Sequence, residues 1–217
     1  PGEAEEGGQR PTLVPRNLKV TLQPPAYSGR PELKLDGSTG DFRALPGTKV
    51  LFEAELPQGG GPVRLSWLRP EGPSVEGELA GNRLRIGFDT PGRSSFRIQQ
   101  GESKRARFTR PFRVEELPDR APELRVAGPA DGTELVPDEP VQLAIDAWDD
   151  YGLSRLEIVA ERGGRPLASW PVEGLEVGSG SHSSSLEWVP ADRLSDLSGP
   201  VHLVVVAWDN DTVRGPK

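Results

Sequence analysis

The feature that most constrains this chain is its pattern of short apolar runs of period two, each cut by glycine or proline before a stable helix could form. Side chains at every second position line one face of a pleated strand, whereas a helix needs apolar residues three and four apart. In the first half the runs are Leu18, Val20 and Leu22; Leu33 and Leu35; Val50, Phe52, Ala54 and Leu56; Val63, Leu65 and Trp67; Leu84, Ile86 and Phe88; Phe96 and Ile98; and Phe108, Phe112 and Val114. Between them, stretches 37–40, 57–62, 70–73, 90–93 and 100–103 are rich in turn-forming residues. The 26 glycines and 23 prolines of the 217-residue chain would break helices repeatedly. About seven short strands at this spacing predict an antiparallel sandwich.

The plan is repeated after a break. Leu117-Pro-Asp-Arg-Ala-Pro122 reads as a short, stiff linker, because its two prolines fix φ and restrict the residues before them. Alternation then resumes with Leu124 and Val126; Val141, Leu143, Ile145 and Ala147; Leu153, Leu156, Ile158 and Ala160; Leu167 and Trp170; Leu186 and Trp188; and Val201, Leu203, Val205 and Ala207. Gly163-Gly164 is a natural hairpin turn, and only 191–197 suggests a short helix. Charge changes sign at the same place: residues 1–118 carry 18 basic and 15 acidic side chains (+3), and 119–217 carry 8 and 18 (−10), together the net −7. The expectation is an all-β chain of tandem immunoglobulin-like, fibronectin- or cadherin-like, antiparallel β-sandwiches over 17–118 and 119–217. Residues 1–16 are expected to be an extended or disordered tail, since 1–10 hold no large apolar side chain.

Several chemistries are excluded or disfavoured. Without cysteine there is no disulfide framework, thiolate metal site or cysteine nucleophile. The longest apolar run, Leu203 to Trp208, is far short of the roughly 20 residues of a membrane span, so direct membrane insertion by this stretch is not expected. A chain that lacks Met and begins at Pro1 is expected to be a piece of a longer protein, with any signal peptide or anchor upstream. His182, in the serine-rich run 179–185, is expected in an exposed loop, and His202 on the solvent side of a strand. Neither makes a zinc site, and no catalytic constellation or cofactor is expected. The glycine runs 59–61 and 178–180 lack the Lys-Ser/Thr of a phosphate loop. The basic series Arg93, Arg97, Lys104, Arg105, Arg107, Arg110 and Arg113 predicts a solvated sheet face or contact with an anionic partner. A domain of only +3 does not point to nucleic acid.

The best candidate site is acidic. Ala147-Trp148-Asp149-Asp150 and Ala207-Trp208-Asp209-Asn210-Asp211 end two strands whose following loops leave at the same end of an immunoglobulin-like sandwich. Asp149, Asp150, Asp209 and Asp211 would then converge, and calcium takes six to eight such oxygens. The competing reading is that Asp and Asn in loops bond nearby backbone amides. Alternation puts Trp148 and Trp208 on the outer face, packed under a neighbouring loop or forming a binding patch.

These stretches also carry a resemblance. Val141 to Val159, with Asp149-Asp150-Tyr-Gly-Leu153, resembles the second and third strands of bacterial immunoglobulin-like domains, and Val201 to Asp211 resembles the penultimate strand of cadherin-like and fibronectin-like modules. Pro24-Pro-Ala-Tyr27-Ser-Gly29-Arg-Pro31, Ala44-Leu-Pro-Gly47-Thr-Lys-Val50 and Asp209-Asn-Asp-Thr-Val-Arg-Gly-Pro-Lys217 complete the set. Their order resembles an uncharacterised bacterial membrane-protein family with N-terminal transmembrane helices, periplasmic immunoglobulin-like domains and a long helical C-terminal region. That resemblance implies a periplasmic or extracellular setting, attachment to a membrane-anchored protein, and a protein partner or other parts of the parent as the binding target. It implies no reaction. A glycan- or peptide-binding module is the alternative.

Overall fold

A computed structural model describes residues 13–57, 61–102, 106–195 and 198–217. The chain divides into two compact units, Pro1–Pro118 and Asp119–Lys217, and is all-β apart from single helical turns. No helix among the described residues is long and apolar enough to cross a membrane. Of the expected N-terminal tail, residues 1–12 lie outside the described residues. Leu13 does not behave as tail: its side chain is buried in the core of the first unit, and its amide donates to the Phe108 carbonyl at 2.9 Å. It is the first large apolar residue of the chain, which is why burial begins there.

The first unit contains β1 (Arg16–Gln23), β2 (Leu33–Asp36), β3 (Phe42–Ala44), β4 (Lys49–Glu55), β5 (Val63–Arg69), β6 (Val75–Ala80), β7 (Arg83–Asp89), β8 (Ser94–Gln100), β9 (Arg107–Phe108) and β10 (Phe112–Glu116). They form one curled, mixed ten-stranded sheet in the order β2-β1-β4-β7-β6-β5-β8-β10-β3, with β9 also on β8. Every pairing is antiparallel except β3 with β10. The curl turns on β6, whose Val75–Gly77 end pairs with β5 while Glu78, Leu79 and Ala80 pair with β7. Gly77 is needed at the changeover: a Cβ there would lie 2.5 Å from Ile86 Cγ1. The alternation read in the sequence is visible in β7 and β8, whose inward residues Leu84, Ile86, Phe96 and Ile98 are fully buried. Phe96 sits at the centre, with ring centroids of Phe88 at 5.2 Å, Phe112 at 5.4 Å, Trp67 at 5.8 Å and Phe52 at 5.9 Å. β3 and β6 were not among the apolar runs, being short or poor in large apolar residues.

The second unit contains β11 (Glu123–Ala127), β12 (Val141–Trp148), β13 (Leu153–Arg162), β14 (Arg165–Pro171), β15 (Ser181–Trp188), α1 (Pro190–Arg193) and β16 (His202–Asp209). These strands make two antiparallel sheets, β11-β12-β15 and β14-β13-β16. Both contribute to one core, from Leu143 and Ile145 of β12 to Leu156 and Ile158 of β13, with Trp170 and Trp188 in ring contact at 5.7 Å. The β13–β14 hairpin turns at Gly163 and Gly164, both at positive φ (56° and 74°), as the sequence indicates.

Two local expectations are corrected. The helix is one turn at Pro190–Arg193 rather than 191–197; Leu194 is extended, and 196–197 lie outside the described residues. The serine run expected as a loop around His182 is instead strand from Ser181 onward, paired along its length with β12. Serine has little intrinsic preference for strand. The partner ladder of β12 supplies the hydrogen bonds that override it.

Candidate functional site

The two acidic motifs do meet at one end of the second unit, and backbone geometry explains why. Between β12 and β13 the chain must turn within 149–152. Asp149 Oδ1 accepts the amides of Tyr151 (2.9 Å) and Gly152 (2.7 Å), closing the turn from within. Gly152 has φ +116°, and a Cβ on it would lie 2.6 Å from the Gly178 carbonyl oxygen, so only glycine fits. Its carbonyl accepts the Asn210 amide at 3.0 Å, and Asn210 Nδ2 donates to the Tyr151 carbonyl at 3.0 Å. Leu153 stands in register with Asp209, and Ser154 Oγ donates to the Trp208 and Asp209 carbonyls, so the turn is stitched to the end of β16.

Beyond β16 the chain folds back on its own acids. Asp209 and Asp211 are almost wholly buried. Asp211 Oδ1 accepts the amides of Val213 (2.7 Å) and Arg214 (3.0 Å), and Asp209 Oδ1 accepts that of Lys217 (2.9 Å). The Lys217 ammonium lies 2.9 Å from Asp119 Oδ1, 2.9 Å from Asp209 Oδ2 and 3.2 Å from Asp211 Oδ2. One cation thus serves three buried carboxylates, joining the first residue of the unit to the segment after its last strand.

The electrostatics follow from this packing. Burial would lower the Lys217 pKa, but hydrogen bonds to Asp119, Asp209 and Asp211 outweigh it and hold the ammonium well above the ordinary lysine value. Burial likewise pushes Asp211 up, yet the Arg214 and Val213 amides and the Lys217 ammonium bring its carboxyl below the usual range. Asp149 goes the other way. Burial raises it, helped by the charges of Asp150 and Asp209, and its two amide bonds only partly offset this.

Of the four acids proposed from sequence as calcium ligands, Asp209 and Asp211 come together, Asp149 is bonded within its own turn through Oδ1 while its Oδ2 is buried without a hydrogen-bond partner, and Asp150 is exposed, 3.4 Å from the Arg120 amide. They do not close round a common centre. Among the described residues, no group of three or more acids, histidines or cysteines is arranged to hold a metal ion. Lys217 and Asp119 complete the cluster and were not singled out in the sequence. The one signal available was a lysine in a chain with five of them, eight residues beyond a buried-strand motif.

The remaining candidates are dispersed. Trp148 projects outward, with the Arg125 guanidinium 5.8 Å from its ring, and Trp208 is half-buried under Arg155 at 4.7 Å. In the basic series, Lys104 and Arg105 lie outside the described residues. Arg97 stacks on Phe108 at 4.3 Å, Arg107 bonds Gln100, and Arg110 pairs with Asp41 at 2.8 Å, so these side chains are engaged one by one. His202 is exposed on β16, while His182 is half-buried on the inward side of β15. No known family model matches this chain, and no curated protein is similar to it in sequence.

Proposed function

We propose that this chain is a non-enzymatic, extracytoplasmic structural or protein-interaction module of a membrane-anchored bacterial protein, built from two immunoglobulin-like units. The observation that carries this reading is the Asp119–Asp209–Asp211–Lys217 cluster. The most conspicuous polar groups of the second unit are bonded to one another and to backbone amides, an arrangement that braces a loop end. For the second unit, the strand orders β11-β12-β15 and β14-β13-β16 support the immunoglobulin-like reading, since they follow the A-B-E and C-F neighbours of that fold; for the first unit, that reading rests on the sequence alternation alone. The extracytoplasmic setting rests on the order of the sequence motifs.

A cysteine-free chain makes the setting testable. A cysteine placed at exposed Glu71 in the intact parent protein is expected to react with a membrane-impermeant thiol reagent once the outer membrane is permeabilised, beyond any labelling of the unsubstituted parent. Labelling only after the inner membrane is lysed would overturn it. For the non-enzymatic part, a turnover by the purified chain that is lost in Asp209→Asn would sink the reading.

A further inference from the structure

The core of the first unit is least finished at the seam where its curled sheet does not close. β2 and β3 stand at opposite ends of the strand order, yet they are consecutive in the chain and joined by residues 37–41 alone. The curl brings both ends to one cleft of about 210 Å³. Leu22 and Leu33 line it from one end of the sheet, Ala44 and Leu45 from the other, with Pro31 and Leu117 beside them.

Leu33 marks the gap. It stands in register with Leu22, and residues directly opposite on neighbouring strands share a face. Leu22 is 3% exposed, whereas Leu33 on the same face is 51% exposed. Two positions further along β2, Leu35 packs against the core as alternation requires. A large apolar side chain on the core side of a sheet, left open to a cleft, is a surface that an apolar group of a ligand would cover. The charge beside it is local. Arg30 and Arg43 line the cleft against one acid, Glu32, whose carboxylate already lies 3.3 Å from Lys34 Nζ. The Arg43 side chain is 63% exposed and its pair with Glu115, at 3.5 Å, is a surface pair, so it stands at the rim and keeps most of its attraction for an anion.

We infer that this seam is a binding site for a small alkyl carboxylate, its tail against Leu22, Leu33 and Leu45 and its headgroup at Arg30 and Arg43. The size of the tail follows from the volume. A cavity of about 150 Å³ takes up a benzene ring, so this one has room for roughly eight carbons. No aromatic ring lines the cleft to orient a flat ligand, which favours a flexible chain. The site goes beyond the structural role proposed above and does not depend on it.

The test titrates the whole chain with straight-chain carboxylates from butanoate to dodecanoate, below their micelle concentrations, followed by backbone amide NMR. Affinity is expected to rise about fourfold per methylene group and to level off near octanoate, where the cleft is full. The shifts should map to Leu22, Leu33, Ala44, Leu45 and Leu117. Octanoate should bind more tightly than octanol, and octylammonium more weakly than either. Because Leu33 is half exposed, Leu33→Asn is expected to keep the amide spectrum of the rest of the unit while losing octanoate. Arg30→Gln with Arg43→Gln should remove the advantage of octanoate over octanol and leave octanol itself unchanged. Affinity that climbs through dodecanoate without levelling would mean adsorption to apolar surface and would overturn the inference. So would shifts that map elsewhere, unchanged binding in Leu33→Asn, or a dimer in light scattering whose dissociation on dilution shifts these same amides without any carboxylate.

Discussion

A lysine that serves three buried acids is worth more to those acids than to itself. Replacing Lys217 by methionine keeps most of the apolar stem but leaves Asp119, Asp209 and Asp211 buried without their cation, and losing one member of such a group costs about 3 kcal/mol. Guanidinium melts at pH 7 are expected to show that loss. The direction with pH follows from the shifts. Asp211, held below 3.8, binds its proton more weakly when folded, so its contribution is complete above that value and is lost as pH falls through the folded pKa. Lys217, held above 10.5, contributes fully below that value and loses its contribution as pH rises through the folded pKa. Asp149, raised above 3.8, favours the folded state only when protonated and opposes it at neutral pH. The gap between Lys217→Met and the parent chain is therefore expected to narrow in melts repeated as the pH is lowered through the folded pKa of Asp211, which lies below 3.8. A gap that stays constant would mean that packing, not charge, is what the lysine supplies.

At the level of strands and turns, two positions are expected to tolerate no substitution. Gly152→Ala places a methyl group against the Gly178 carbonyl at a φ that L-residues avoid, and a loss of about 2 kcal/mol or more is expected in thermal or denaturant melts. Phe96→Ala empties the centre of the first unit's ring cluster and is expected to cost about 3–5 kcal/mol. Strands of this second kind were legible in the sequence, because Leu84-x-Ile86-x-Phe88 and Phe96-x-Ile98 write their buried face directly as alternation. β6 was not, since its Gly77 is there to let the strand cross Ile86 and leaves no apolar mark. The strand around His182 was hidden for the opposite reason: its residues read as loop, and only pairing with β12 makes them strand. At the site, the turn at Asp149 and the stop after Trp208 were visible as Asp-rich ends. The partner that organises them was not, because Lys217 and Asp119 stand 98 positions apart and meet only through the fold.

At the scale of the molecule, the sequence's sharpest contrast, +3 before residue 119 and −10 after it, assembles no metal-holding group among the described residues. The acids of the second unit are spread over many turns, and the tightest group already holds an ammonium. Titration with calcium to millimolar levels is accordingly expected to leave the melting temperature of the chain unchanged, and a concentration-dependent rise would contradict the arrangement described for Asp209 and Asp211. The same ammonium carries a chemical consequence. Acylating reagents attack the neutral amine, and Lys217 is both screened by its carboxylates and slow to give up its proton. Under brief treatment with an acetylating reagent, the exposed Lys19 on β1 and Lys34 on the edge strand β2 should be modified early and Lys217 last. Mass spectrometry of the digested chain would then read the state of the second unit from a single side chain, since Lys217 becomes reactive when that unit opens.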